Sequence, residues 1–301
     1  MAKVELKGIM PPLTTPFDER GDVDFEALAR NLQRYNTTGL AGYVLLGSNG
    51  EAVHLTREER FRVIETVKAN STSQHLLIAG VNEFSSRAAL EASRHAQDAG
   101  ADAVLVITPY FYKSRMNADS LSAFFNEVAD ASPLPVLIYN VPQNTGVTID
   151  SSTIATLAAH ENIVGVKDSA GNFGAIAETI RLSPPGFAVM SGNGGILYPA
   201  LAMGATGAVL AVACAAPRAC VELFEAVAAG DHNKAKDLQR RIAPVSHAVT
   251  AGFGVAGLKV ALDLAGFDGG FTRSPLGTIS EADSRKIATI MKESRLFSEL
   301  D

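Results

Sequence analysis

Hydrophobic and polar positions follow two periods along most of the chain. Short apolar runs alternate with stretches that carry apolar residues every third or fourth position, the patterns of a buried strand and of an amphipathic helix. The segment 8–16 is extended by Pro11, Pro12 and Pro16, and a polar turn over 18–22 contains Gly21. The segment 23–38 then sets Phe25, Leu28, Leu32 and Tyr35 on one helical face, with Asp22 or Asp24 available as cap. A short strand from Gly42 runs into the glycine-bracketed turn Gly47-Ser48-Asn49-Gly50-Glu51. Thr56 and Glu59 have capping-box spacing and open a helix through 69, followed by a strand over 75–79. Ser85 or Ser86 starts a helix to about 98, 103–107 is a strand, and 117–131 is a helix with Leu121, Phe124, Phe125 and Val128 on one face. Strands at 135–139 and 163–166 flank a helix over 151–160 capped by Asp150, and a helix over 172–182 follows. The last strands are 187–190 and 207–209, separated by a helical stretch over 195–203.

Eight strands alternating with helices predict parallel βαβ units, and eight is the number that closes a (β/α)8 TIM barrel. The competing doubly wound sheet is disfavoured because no Gly-x-Gly-x-x-Gly turn follows the first strand and the strand spacing stays regular. Beyond 217 the pattern is purely helical, over 218–229, 231–250, about 256–264 and 281–296. The reading is a catalytic barrel over 1–216 and a C-terminal helical region over 217–301 packed on it, with no low-complexity linker between.

Composition narrows the function. The 301 residues are 47% hydrophobic and carry 26 Lys+Arg against 32 Asp+Glu, a formal charge of −6. No basic run suggests nucleic acid or an anionic membrane as partner, and no apolar run has transmembrane length. The start lacks the look of a secretory or transit leader, so a cytoplasmic protein is expected, or a mitochondrial one if a transit peptide has been removed. Cys214 and Cys220 lie in an Ala-rich apolar segment and read as buried thiols.

In a barrel of this kind the active site gathers at the C-terminal ends of the strands. Those ends carry Thr14 and Thr15, the 47–51 turn, Thr108 to Lys113, Tyr139 to Pro142, Lys167 to Ser169, and Ser191 to Gly195. Lys167 ends the apolar run from Ile163, where a lysine either snorkels to solvent or sits partly desolvated as a nucleophilic amine. No His/Asp/Glu cluster, Gly-x-Ser-x-Gly or Gly-Lys-Ser/Thr motif competes with it, so neither a metal nor a separate cofactor is expected. An amine there can condense with a ketone to an imine that accepts electrons as a C–C bond breaks. Tyr139 is the candidate proton shuttle, or else a packing residue, and the 47–50 turn is the candidate carboxylate nest, or else a plain loop. Tyr110, Phe111 and Tyr112 suit an aromatic interface patch or a part in the relay. Asp168 reads as a turn former, because adjacent strand residues face opposite ways.

The motifs Pro11-Pro-Leu-Thr-Thr-Pro16, Gly47-Ser-Asn-Gly-Glu51, Leu55-Thr-x-x-Glu-Arg60, Tyr139-Asn-Val-Pro142, Thr145-Gly146 and Gly165-Val-Lys-Asp-Ser169 together resemble the dihydrodipicolinate synthase/N-acetylneuraminate lyase family over nearly the whole chain. The resemblance implies a homotetramer and class I pyruvate-dependent aldolase chemistry on a small 2-oxo acid and an aldehyde. It makes Lys167 the Schiff-base lysine, Tyr139 the proton-relaying tyrosine, and Ser48 with Asn49 the pair that holds the pyruvate carboxylate. Thr14, Gly47, Asn144, Ser169, Gly192 and Val209 are the further substrate-binding expectations. Asn144 stands where dihydrodipicolinate synthases carry an arginine for the aldehyde's carboxylate, so that activity ranks behind. Pro-x-Asn-Thr-Gly, the Ser-Asn turn, Ser114-Arg-Met116, Phe253 to Lys259 and Arg273 to Leu276 look more like eukaryotic 4-hydroxy-2-oxoglutarate aldolases. A 2-keto-3-deoxy sugar-acid aldolase is the nearest alternative. Phe111 occupies the position of the family's subunit-bridging relay tyrosine and cannot carry a proton, which leaves open a barrel that binds pyruvate without turnover.

Overall fold

A computed structural model of the chain describes residues 4–297; residues 1–3, on which the leader reading partly rests, and 298–301 lie outside the described residues. Within it the order is β1 (Gly8–Met10), α1 (Phe25–Tyr35), β2 (Gly42–Leu45), α2 (Arg57–Asn70), β3 (Leu76–Val81), α3 (Ser86–Asp98), β4 (Ala103–Ile107), α4 (Ala118–Ala131), β5 (Val136–Asn140) and the single turn α5 (Pro142–Thr145). It continues with α6 (Ser151–Leu157), β6 (Ile163–Asp168), α7 (Phe173–Leu182), β7 (Ala188–Ser191), α8 (Leu197–Ala202), β8 (Gly207–Val209), α9 (Val212–Ala215), α10 (Pro217–Ala228), α11 (His232–His247), α12 (Gly254–Leu264) and α13 (Glu281–Ser294).

Seven parallel pairings run β1-β8-β7-β6-β5-β4-β3-β2. The ring comes round through a Pro12–Val44 bridge and the bonds Ala41 N–H to Ile9 O at 3.0 Å and Leu13 N–H to Val44 O at 2.9 Å. The expected TIM barrel is the fold. Its strands are apolar throughout because both faces are buried. On β4, Ala103, Leu105 and Ile107 fill the barrel interior while Val104 and Val106 pack outward with the helices. The helix caps follow the sequence signals: Asp24 accepts from Ala27 N–H, Thr56 and Glu59 form the capping box, and Ser85, Asp150 and Asn172 cap α3, α6 and α7.

Two departures bear on the site. β6 extends to Asp168, so Lys167 lies inside a strand rather than just past its end. The helix expected over 231–250 stops at His247 and continues as a π turn, Ala248–Gly252, whose bond runs from Phe253 N–H to Ala248 O at 2.9 Å, before α12 begins at Gly254 with φ 60°. Gly252 and Gly254 allow that break, and a five-residue bond has no signature in a 3.6-residue pattern. α10 packs on α8 and β1, and α12 packs on α9 and α13. Among the described residues no helix is long and apolar enough to cross a membrane.

Candidate active site

The parallel register of β5 and β6 makes Tyr139 and Lys167 direct partners. A shift in pairing between Val136 and Leu137 sets that register, and on the other side of β6 Gly165 lets β7 come close, since a Cβ there would stand 2.4 Å from Ala188 O. Alternation turns Gly165 and Lys167 inward and sends Asp168 to the other face. Asp168 is accordingly outside the cavity, where Asn140 Nδ2 donates to it at 2.7 Å and Ala170 N–H at 2.9 Å; burial raises its carboxyl despite those bonds.

Lys167 is 3% exposed and Tyr139 5%. The Lys167 Nζ lies 4.1 Å from the centroid of the Tyr139 ring. The Tyr139 hydroxyl is 3.4 Å from Ser48 Oγ, which accepts from Asn144 Nδ2 at 3.2 Å. Burial pushes the phenol up, but the charge of Lys167 and hydrogen bonds with Ser48, Ser169 and Lys167 outweigh it and hold the phenol below its ordinary 10.0. A phenol so placed accepts and returns a proton more readily than a free tyrosine, and it stands against a buried amine.

Around this pair is a cavity of about 440 Å³. Ser48, Asn49, Tyr139, Asn144, Lys167, Ser169, Gly192 and Val209 all line it. Thr14 is buried, and neither it nor Gly47 is part of the lining. Within the turn, Gly50 N–H bonds Gly47 O at 3.1 Å and Glu51 N–H bonds Ser48 O at 3.2 Å, a tight fold that presents Ser48 and Asn49 to the cavity. Tyr110, Phe111 and Tyr112 stay away from it within one chain. Phe111 and Tyr112 are 72% and 70% exposed and stack edge to face, and Phe84 meets both Tyr110 and Phe111.

Sequence reasoning missed part of the wall. Gln143 on α5 donates to Ser169 O. Ser246, Val249, Thr250, Ala251, Gly254 and Val255 bring the π turn and the start of α12 over the cavity, with Thr250 Oγ1 tied to Ser246 O at 2.6 Å. The pair of glycines at 252 and 254 inside an apolar helical pattern was the available signal. Lys167 is the one charged side chain in the lining. Among the described residues no three of His, Cys, Asp and Glu stand together as metal ligands.

The same architecture and much of the same sequence recur in known proteins. The chain is 36% identical over 286 residues to the 4-hydroxy-tetrahydrodipicolinate synthase of Methanothrix thermoacetophila, covering 95% of this chain and 96% of that one. It is 36% identical over 294 residues to the same-named enzyme of Agrobacterium fabrum, covering 97% and 99%. In three dimensions it is similar to an E. coli K12 prophage protein of the dihydrodipicolinic acid synthase family solved in complex with pyruvate, with a TM-score of 0.91, 29% identity and coverage of 97% and 100%. A monomeric dihydrodipicolinate synthase variant superposes with a TM-score of 0.92, 27% identity and coverage of 98% and 99%. The model of the dihydrodipicolinate synthetase family matches residues 5–294, and with Lys167 and Tyr139 set side by side in its barrel the chain belongs to that family.

Proposed function

We propose that the protein is a class I, pyruvate-dependent aldolase that cleaves a 4-hydroxy-2-oxo acid of the 4-hydroxy-2-oxoglutarate type to pyruvate and an aldehyde. The observation that carries this is the register pairing of a buried lysine with a buried tyrosine whose hydroxyl leads to Ser48. Lys167 Nζ attacks the 2-oxo carbon, water leaves, and a protonated imine forms. The C3–C4 bond breaks with its electron pair moving into that imine, while the Tyr139 phenolate takes the C4 hydroxyl proton and the aldehyde departs. The resulting enamine is protonated at C3, and water hydrolyses the imine to release pyruvate and restore the amine. No metal or separate cofactor is needed for this sequence. The hydroxyl of Ser48 and the turn around Asn49 suit the pyruvate carboxylate, while Asn144, Gln143 and Ser169 offer amide and hydroxyl groups to the far end of the substrate.

The names of the relatives favour a second reading, in which the same imine runs in the condensing direction to make 4-hydroxy-tetrahydrodipicolinate. Asn144 weighs against it, because an amide is a poorer partner for a carboxylate than a bidentate guanidinium. A homotetramer built as a dimer of dimers belongs to the proposal, and the exposed Phe84, Phe111 and Tyr112 suit one of its contacts.

Borohydride reduction with pyruvate should add a reduced pyruvyl group to Lys167 and to no residue in Lys167→Ala. A wild-type protein that traps nothing overturns the reading. Turnover of a panel of 4-hydroxy-2-oxo acids, and of pyruvate with a panel of aldehydes, then ranks the two directions. Trapping without turnover on either panel marks a pyruvate-binding barrel that has lost catalysis.

A further inference from the structure

The turn that carries Ser48 and Asn49 is held from outside the barrel by α12. Leu46 and Glu51, on either side of the turn, both stand in the left-handed region, with φ of 55° and 51°. For residues with a Cβ that conformation is uphill, so neighbouring groups must hold it. On one side the Leu46 carbonyl accepts from Asn82 Nδ2 at 2.8 Å and lies against Gly80, where a Cβ would stand 2.2 Å from it.

On the other side the holding groups are charged. Glu51 Oε1 is 2.8 Å from Lys259 Nζ, with side-chain exposures of 1% and 2%. Glu51 Oε2 accepts from the Arg273 N–H at 2.9 Å, and His54 Nδ1 is 3.2 Å away. Lys259 Nζ also donates to Thr15 O at 2.8 Å and to Phe271 O, and Thr15 Oγ1 donates to Gly50 O at 2.7 Å. One ammonium thus reaches Glu51 directly and Gly50 through Thr15. A buried ion pair is seldom more stabilising than a packed apolar pair, and burial draws the Lys259 ammonium below its ordinary value against the pull of Glu51. Stability therefore gives no reason for the pair, whereas position does.

We propose that the Glu51–Lys259 pair is a positioning device that sets the 47–50 turn so that Ser48 meets the Tyr139 hydroxyl; the proposal rests on the reading of Lys167 and Tyr139 as an imine site. The C-terminal helical region then completes the active site in two ways, as wall through its π turn and as clamp through Lys259.

The test uses Glu51→Gln, Lys259→Met and Thr15→Val in the full chain. All three should still trap pyruvate on Lys167, at a higher pyruvate concentration because the displaced turn also holds its carboxylate, while kcat for cleavage falls about tenfold or more in the first two and a few-fold in the third. Ultraviolet titration of the phenol, taken as the difference from a Tyr139→Phe control in each background, should move upward in all three. Removing a carboxylate and removing an ammonium act oppositely on a nearby phenol through charge alone, so a common upward shift marks loss of the Ser48 contact. Folded variants with wild-type kcat and an unmoved phenol, or with shifts of opposite sign, overturn the proposal. Thr15→Val reads the Thr15 arm alone, and Glu51→Asp, which keeps the charge but draws the carboxylate back from Lys259, decides the matter by the same two readouts if the other two fail to fold. The titration needs no turnover, so a wild-type protein that traps no pyruvate ends the imine reading while the clamp is still judged by the phenol.

Discussion

Tyr139 and Lys167 are Cα partners across β5 and β6, and Lys167 Nζ rests 4.1 Å from the centroid of the phenol ring. Backbone pairing rather than side-chain chance therefore sets the distance between amine and phenol, and a one-residue slip of either strand would turn its own side chain out of the barrel. Tyr139→Phe keeps the ring and its packing while removing the proton carrier. Its kcat should fall about 10²- to 10⁴-fold, with pyruvate still trapped on Lys167. Equal loss of trapping and turnover would instead give Tyr139 a part in forming the imine, and undiminished kcat would remove it from the relay.

The phenol of Tyr139 is held below 10.0 by Lys167 and by its hydrogen bonds, although burial alone would raise it. Ser48 helps by donating to the phenolate, so Ser48→Ala should raise the phenol pKa, by one unit for each ~1.4 kcal/mol of hydrogen bond lost. Less phenolate is then present at a given pH. The acid limb of the kcat–pH profile should move to higher pH by the same amount, and a limb that stays put would separate that titration from Tyr139.

The barrel was legible because a strand buried on both faces and a helix with one apolar face leave different periods in the sequence. That Lys167, Tyr139 and Ser48 would share one cavity was legible because the strand ends of such a barrel converge where the apolar runs stop. Other features required contacts that no local pattern encodes. Lys259 reads as one charge in the helical run Leu258 to Leu264, and only the folded chain shows its Nζ beside Glu51, more than two hundred residues away in sequence. The Ala248–Gly252 π turn reads as more of the helix over 231–250, so no local pattern marks Thr250 and Val255 as cavity wall. Phe111 and Tyr112 are exposed in one chain, and a single sequence carries no record of which surface meets another copy.

Arg273 ties the C-terminal region to the start of α2. Its guanidinium donates to Glu59 at 2.7 and 2.6 Å, and those bonds hold the Glu59 carboxyl below its ordinary 4.5 against burial. A carboxylate whose value is depressed in the folded protein contributes stability above about 4.5, and the contribution is lost as pH falls through the folded-state value. Glu59→Gln should cost about 1–2 kcal/mol in urea unfolding at neutral pH, reduced from the buried-pair range by partial exposure. The gap from wild type should narrow as pH drops below the ordinary carboxylate value. A gap of constant size across that range would mean that packing, not charge, accounts for the loss.

Under the proposed function, Asn144 is the residue on which the choice of aldehyde turns. It lines the cavity, its Nδ2 donates to Ser48 Oγ at 3.2 Å, and Lys167 is the lining's one charged side chain. An aldehyde bearing a carboxylate therefore meets amides and hydroxyls at its far end once Lys167 is committed to the imine. Asn144→Arg would supply a bidentate partner there, and a hydrogen bond to a charged group is worth about 1.5–3 kcal/mol. Discrimination between two aldehydes of equal length, one ending in a carboxylate and one in a hydroxyl, should shift about ten- to a hundredfold toward the carboxylate in kcat/KM. Pyruvate should still be trapped on Lys167, because the amine itself is untouched, although loss of the Asn144–Ser48 bond raises the pyruvate concentration needed. If discrimination stays as in wild type while trapping persists, residue 144 does not face the aldehyde, and the weight it carries against the synthase reading falls away.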